Sequence, residues 1–200
     1  MAKLTFKYGA MNSGKSDVLI KTAYNYTEQG LAVVTIKPAI DTKGENLITA
    51  RGGHSREVDI IATEEMDLRE EIHRYIARQA LAELHCVLID ESQFLKSKQI
   101  DQLFHVAKID DISVVAHGLR ADFQTQLFEG SRRLFELADV YEKIKTMCSC
   151  GKQGEINCRR VNGEYVFVGE QVAIDGEEEV SYNSLCGKCY LTEVAKSMAA

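Results

Sequence analysis

Residues 9–16 read GAMNSGKS and match the phosphate-binding pattern GxxxxGK[ST] in full. Alternating Leu4, Phe6 and Tyr8 precede the motif and a helical pattern follows it, which is the strand–loop–helix setting that the motif requires. Glycines at both ends let the backbone curl so that N–H groups at a helix N-terminus point at phosphates. The sequence therefore predicts a nucleoside triphosphate site, for which ATP is the expected ligand, built from Gly9, Ala10, Met11, Asn12, Ser13, Gly14, Lys15 and Ser16.

The last two residues of the motif have separate expected roles. Lys15 is placed to pair with the outer phosphates, and the Ser16 hydroxyl is placed to bind Mg²⁺. The metal ion bridges phosphate oxygens and takes up charge as a phosphoryl group departs.

The remainder of the first 145 residues alternates strand and helix patterns. This order predicts an α/β fold, a parallel sheet with flanking helices that carries the phosphate loop, with nucleotide at the carboxyl ends of the strands. Polar residues 39–57 predict a loop or a weakly paired ribbon. The predicted strands are 31–38, 86–89 and 113–116, and the predicted helices are 14–29, 64–85 and 96–107.

Composition excludes some classes of function. The chain has 24 basic and 30 acidic residues and a net charge of −6, which argues against nucleic acid as a partner. It starts directly with a strand pattern, and no apolar run approaches the length that spans a bilayer. We therefore expect a cytoplasmic protein without a membrane partner.

Composition changes near Thr146, which predicts a second, β-rich module over residues 146–200 after an α/β domain over residues 1–145. Four thiolates in this module, those of Cys148, Cys150, Cys186 and Cys189, form a candidate tetrahedral Zn²⁺ site with a structural role. The first pair has only one intervening residue, a tight spacing, so Cys158 remains an alternative ligand and reduced thiols without metal remain possible.

Asp90 and Glu91 directly follow the apolar run 86–89. Beside a phosphate loop, an acid in this place holds Mg²⁺, which makes Asp90 the candidate metal ligand and Glu91 the candidate general base for an acceptor hydroxyl. Position alone does not separate the base from the metal ligand, and two exposed acids at a strand end remain the alternative. The aromatic side chains of Phe94, Phe123, Phe128 and Tyr182 are candidates either for a planar-base pocket or for the core.

Five motifs occur in the order seen in the type II thymidine kinases, which the chain resembles from end to end. They are residues 9–16, the KPAID sequence at 37–41, DESQF at 90–94, GLRADF at 118–123 and CGKCY at 186–190. The resemblance implies that ATP phosphorylates the 5′-hydroxyl of thymidine or deoxyuridine, in a homotetramer with a structural zinc in each subunit.

The resemblance also implies roles for single residues. It makes Glu91 the general base and places Asp90 and Gln93 in the ATP–Mg²⁺ site. It implies a lasso, a loop that closes over thymidine, and a wall for the base formed by Met11, Phe94, Leu119, Phe123, Phe128 and Tyr182.

The chain departs from the family pattern in three places. Lys43 stands where the family often has Arg, the first cysteine pair is CxC where CxxC is more familiar, and residues 175–179 replace a shorter turn. Two other classes of function stay open on the residues alone: a regulatory ATPase whose zinc module binds a protein or nucleic acid, and a purely structural zinc protein. The acidic net charge and the apolar side chains that would wall a base disfavour the regulatory ATPase. A purely structural zinc protein leaves the phosphate loop unexplained.

Overall fold

Six parallel strands form the central sheet of the computed structural model, which describes residues 1–42, 44–169, 171 and 179–199. The strand order is β5–β2–β6–β7–β1–β8. The bounds are β1 Leu4–Gly9, β2 Val33–Pro38, β5 Ile60–Ala62, β6 Cys86–Ile89, β7 Ser113–Leu119 and β8 Val140–Ile144. Because β6, β7 and β1 are neighbours with the same direction, the residues that follow these three strands meet at one edge of the sheet.

Helices cover both faces of this sheet, so the α/β prediction is confirmed. Helix α1, with Leu19 and Ala23 buried, packs on one face, and α2, α3 and α4 bury Ile72, Leu103 and Leu134 on the other. The bounds are α1 Lys15–Glu28, α2 Leu68–Arg78, α3 Ser97–Lys108, α4 Glu129–Leu137 and α5 Gly187–Ala199. The strand pattern of residues 86–89 is fully buried, as a central parallel strand requires.

Helix α2 is shorter than the predicted helix 64–85, which was wrong at both ends. The Asp67 carboxylate accepts a hydrogen bond of 2.9 Å from the Glu70 backbone N–H, so the side chain caps the helix there. Ala80 has a φ of 48°, outside the helical region, and the helix has already ended at Arg78. The edge strands β5 and β8 were not predicted, because short edge strands carry weak patterns.

Small antiparallel sheets make up the rest of the structure. Strands β3 Leu47–Thr49 and β4 Ser55–Glu57 pair, which confirms the weak ribbon predicted within residues 39–57. In the C-terminal part, β9 Thr146–Met147 pairs with β10 Gln153–Gly154, and β11 Ile156–Val161 lies between β12 Glu164–Val166 and β13 Val180–Leu185. The longest element of this part is helix α5, Gly187–Ala199.

Some sequence predictions lie outside the described residues. These are the place of Lys43 and residues 175–178 of the segment 175–179. Among the helices that the structure describes, none has the length and apolar character needed to cross a bilayer.

Candidate active site

Residues 9–16, the predicted phosphate loop, connect β1 to α1. Gly9 lies where a Cβ atom would come within 2.5 Å of the Ser13 Oγ and 2.9 Å of a backbone carbonyl, so only glycine fits. Gly14 precedes α1 with a φ of 77°, a left-handed conformation that glycine adopts without a steric penalty. Both glycines of the motif are thus explained by the curled backbone.

Lys15 is buried within this loop. Its Nζ donates to the carbonyl of Ala10 at 3.3 Å, and burial lowers its pKa, an effect that the nearby charges of Glu91 and Asp90 oppose. A buried ammonium group whose one hydrogen bond among the described residues goes to a loop carbonyl is a cation available for an anionic ligand. The phosphate-binding role of Lys15 stays a prediction from the motif.

The Ser16 hydroxyl donates to Asp90 Oδ2 at 3.0 Å and so connects the phosphate loop to the end of β6. Burial, followed by the charge of Glu91, raises the pKa of Asp90 to about 7, and the bond from Ser16 works against this shift. The second carboxylate oxygen, Oδ1, is buried without a hydrogen-bond partner among the described residues. A buried oxygen without a partner next to a serine hydroxyl is a donor set that suits Mg²⁺.

Glu91 is held in an uncommon backbone conformation with a φ of 46°. The Gln93 Nε2 donates to Glu91 Oε2 at 2.5 Å, and the Gln93 Oε1 accepts from the Leu119 N–H at 2.9 Å. Gln93 therefore ties the Glu91 carboxylate to the end of β7. Glu91 is half-buried while Gln93 is buried, so the carboxylate is both held and accessible.

A close approach of three segments supports this arrangement. The short 3₁₀ turn Ser92–Phe94 follows Glu91, and Gly130 at the start of α4 packs against it. The Phe94 and Phe128 rings meet edge to face with centroids 5.6 Å apart. Leu119, whose N–H donates to Gln93, is also buried.

Phe123 and Tyr182 lie in a second aromatic group, joined by Arg159. The Arg159 guanidinium carbon is 3.8 Å from the Phe123 ring centroid, and its Nε donates to the Tyr182 hydroxyl at 3.0 Å. The predicted base-wall residues thus form two contact groups. Arg159, which joins the second group, was not recognised from the sequence.

The last predicted wall residue, Met11, is bound through its backbone to the small C-terminal sheet. Its N–H donates to Asn157 Oδ1 at 2.7 Å, and its carbonyl accepts from the Ser184 hydroxyl at 2.5 Å. Asn157 also donates from Nδ2 to the Ala121 carbonyl at 2.7 Å. Asn157 and Ser184 are cross-strand partners in β11 and β13, so this sheet binds the backbone of Met11 through two adjacent side chains. Sequence reasoning missed both residues, and only the strand register relates them.

The four predicted zinc ligands come together. The sulfur atoms of Cys148, Cys150, Cys186 and Cys189 all lie within 4.8 Å of one another. The Cys150 Sγ lies 3.5 Å from the Cys148 Sγ and 3.6 Å from the Cys186 Sγ. These distances are close to the roughly 3.8 Å expected between thiolates at tetrahedral Zn²⁺.

The CxC spacing is accommodated by a tight turn. Gly151, with a φ of 82°, donates its N–H to the Cys148 carbonyl at 2.9 Å. Backbone N–H groups of Cys150 and then Cys186 lower the pKa of the Cys148 thiol to about 6, which favours the thiolate that a metal binds. Cys158, the alternative ligand, is outside the cluster, and burial raises its pKa to about 12.

A nucleotide-binding α/β protein with a four-cysteine module is the class that this fold and site define. The family model described as thymidine kinase matches residues 2–190. The chain belongs to the thymidine kinase family. The prediction of this family from the five motifs is confirmed.

Individual members of the family are similar to this chain in sequence over nearly its full length. The chain is 43% identical over 188 residues to a thymidine kinase of Mannheimia succiniciproducens, covering 93% of each chain. It is 40% identical over 200 residues to that of Enterobacteria phage T4, covering 99% of this chain and 100% of the relative. It is 41% identical over 192 residues to one of Streptococcus agalactiae, covering 95% and 97%. A Pif1 helicase structure from Candida albicans overlaps with a TM-score of 0.40 at 15% identity, over 72% of this chain and 36% of that one.

Proposed function

We infer that this protein transfers the γ-phosphoryl group of ATP to the 5′-hydroxyl of thymidine, or of deoxyuridine, giving the monophosphate and ADP. Membership of the thymidine kinase family supports the acceptor. The observation that carries the mechanism is the placement of Glu91, held by Gln93 one residue beyond an aspartate that bonds the phosphate-loop serine.

Glu91 is the general base of the proposed reaction. Its carboxylate accepts the proton of the 5′-hydroxyl as that oxygen attacks the γ-phosphorus, while the bond from the γ-phosphorus to the bridging oxygen of ADP breaks. The contact from Gln93 positions this carboxylate at the end of β7.

The donor site consists of residues 9–16 with Asp90 and Gln93. Lys15 would bind outer phosphate oxygens, and Ser16 and Asp90 are the residues that would hold Mg²⁺. When bound, Mg²⁺ neutralises charge on the phosphate oxygens. The two acids therefore have different roles: Asp90 is buried and bonded to Ser16, and Glu91 is accessible.

The acceptor base lies, in this proposal, against Met11, Phe94, Leu119, Phe123, Phe128 and Tyr182. Five of these six side chains are apolar, and Tyr182 presents a polar hydroxyl at one end. Flat apolar surfaces of this kind suit a pyrimidine ring, and closure of the lasso over it excludes water from the phosphate.

The zinc ion of the proposal is structural, because four thiolates complete its coordination and leave no open position. We divide the chain into an α/β domain, residues 1–145, and a zinc and lasso module, residues 146–200. A cytoplasmic homotetramer is part of the proposal and rests on the family resemblance alone; light scattering coupled to gel filtration tests the assembly.

The decisive experiment measures ADP release from ATP and Mg²⁺ with and without thymidine, with the nucleoside product identified by mass. Thymidine-dependent ADP release with an equal amount of thymidine monophosphate supports the kinase. ADP release that does not depend on thymidine, without a nucleotide product, would identify a regulatory ATPase instead.

A matched pair of variants tests the base. Glu91→Gln removes proton acceptance with little change in shape, and we expect kcat to fall by roughly 10²–10⁴-fold with ATP binding retained. Glu136→Gln, at the exposed end of α4 where the carboxylate pairs with Arg133, is the control and keeps wild-type turnover. Full turnover by Glu91→Gln would remove this residue as the base.

A further inference from the structure

Arg159 is a buried cation at the meeting point of three separate segments. Its side chain belongs to β11 and is only 6% exposed. The guanidinium lies over the Phe123 ring, its Nε bonds the Tyr182 hydroxyl, and its Nη2 donates to the Gln171 carbonyl at 3.2 Å. Phe123 follows β7, Tyr182 lies on β13, and Gln171 lies between β12 and β13.

No carboxylate in the described part of the chain lies within ion-pair distance of this guanidinium. A buried charge without an ionic partner is costly unless other groups replace water around it. The ring face, the hydroxyl and the backbone carbonyl do so here, so moving any one of them away raises the cost of keeping Arg159 buried. The three segments are therefore coupled through the cation.

Further contacts tie the same segments together. Gln171 Nε2 donates to Asp122 Oδ2 at 2.9 Å, and Gln124 Nε2 donates to the Gly169 carbonyl at 2.9 Å. The residues on either side of Phe123 thus hold the segment whose carbonyl Arg159 binds. These bonds flank the Arg159–Phe123 stack and keep the contact between the two modules in one arrangement.

We propose that Arg159 is a positioning residue for the nucleoside acceptor, which holds Phe123, Tyr182 and the Gln171 backbone as a single wall of the thymidine pocket. The proposal rests on the proposed function and adds Arg159 to the residues that determine binding of the nucleoside acceptor. Its consequence is selective: thymidine binding depends on the guanidinium much more strongly than ATP binding at residues 9–16. In the described part of the chain no contact of Arg159 is to that loop, and of the residues that Arg159 holds, Tyr182 meets the loop through its backbone carbonyl, which accepts from Asn12 Nδ2 at 3.3 Å.

Arginine suits this position better than lysine. A planar guanidinium stacks on a ring with its face and donates hydrogen bonds from its edge at the same time. A lysine ammonium group cannot make both kinds of contact with Phe123 and Tyr182 together. Arg159→Lys is therefore expected to be defective although it keeps the charge, and this separates positioning from simple electrostatics.

The chain contains a matched control in the next residue. Arg160 points to the other face of β11, where its guanidinium donates to the Gly163 carbonyl and lies 5.2 Å from the Tyr165 ring centroid. It lies on the same strand, is the same residue type and likewise contacts a backbone carbonyl and an aromatic ring. It differs in being half-buried and in having no side-chain contact with Phe123 or Tyr182 in the described structure.

The test is steady-state kinetics of Arg159→Met, Arg159→Lys and Arg160→Met, with zinc content and circular dichroism measured on each. Loss of charge-assisted contacts predicts a KM for thymidine raised by roughly tenfold or more in both Arg159 variants. The KM for ATP stays within about twofold of wild type, and Arg160→Met stays near wild type for both substrates.

Two results overturn the proposal. An unchanged KM for thymidine in Arg159→Lys and Arg159→Met removes the positioning role, and an equal rise in both KM values shows a general structural role instead. If Arg159→Met does not fold, the kinetics of Arg159→Lys decide. Failure of the wild type to phosphorylate thymidine is a different result, which overturns the proposed function and this inference with it.

Discussion

Replacing Asn157 by leucine tests whether the small C-terminal sheet supports the phosphate loop. Leucine keeps the branched shape of asparagine but has no polar atoms. The change leaves two backbone groups without their partner, the Met11 N–H and the Ala121 carbonyl, at a position where Asn157 is only 5% exposed. Each buried group that loses its hydrogen bond costs about 1–3 kcal/mol, so the variant loses about 2–6 kcal/mol.

For a chain of this length, 1 kcal/mol shifts the thermal midpoint by roughly 2–4 °C, so we expect a fall of roughly 4 °C at least and of roughly 24 °C at most. Asn183→Leu is the control, because Asn183 lies in the neighbouring strand and its side chain makes one hydrogen bond among the described residues, to the Tyr165 hydroxyl at 3.2 Å. One such bond is worth about 1 kcal/mol, or roughly 2–4 °C.

Thermal unfolding followed by circular dichroism, at equal protein concentration and equal zinc content, measures both midpoints. Calorimetric titration with ATP and Mg²⁺ then shows whether the loop still binds nucleotide, and we expect weaker binding in Asn157→Leu only. Equal midpoints and equal ATP affinity in the two variants would refute the view that Asn157 links the sheet to the loop.

Three further predictions concern packing, charge and metal. Gly130→Ala places a Cβ atom 2.6 and 2.7 Å from two backbone carbonyl oxygens, so its thermal midpoint falls well below that of Gly187→Ala, whose added Cβ atom has no neighbour within 4 Å. The hydrogen bonds from Arg69 hold the pKa of Asp110 below its usual value, so this pair stabilises the fold above the ordinary pKa of about 3.9 and stops doing so as the pH falls through the lowered value. Asp110→Asn therefore lowers the midpoint at pH 7, and its difference from wild type shrinks on acidification. Cys158→Ser keeps one zinc per chain by elemental analysis, and a loss of zinc there would show that the metal uses a different set of thiolates.

The sequence predicted the parts of the site that depend on short spacings. The two glycines of residues 9–16 suit a curled loop whatever surrounds it, and Asp90 and Glu91 follow a strand whose burial the apolar run already indicates. The cysteine set was also predicted, although CxC left its geometry open. The length of α2 was wrong because the helical pattern extends past a residue, Ala80, whose backbone is left-handed.

The contacts of Gln93, Asn157 and Arg159 could not be predicted in the same way. Gln93 and Leu119 are 26 positions apart, and Met11 and Asn157 are 146 positions apart. The first contact requires that β6 lies beside β7 in the sheet. The contacts of Asn157 and Arg159 also require the register of β11 against β13.

By itself, the sequence determined the phosphate loop, the acid pair, the four thiols and the family, because each depends on residue types at short, fixed spacings. The tertiary structure alone decided that Gln93 holds Glu91, that Asn157 holds Met11 and that Arg159 joins Phe123 to Tyr182. The physical reason is that a side-chain contact between distant segments depends on strand order and register, which no short stretch of sequence specifies.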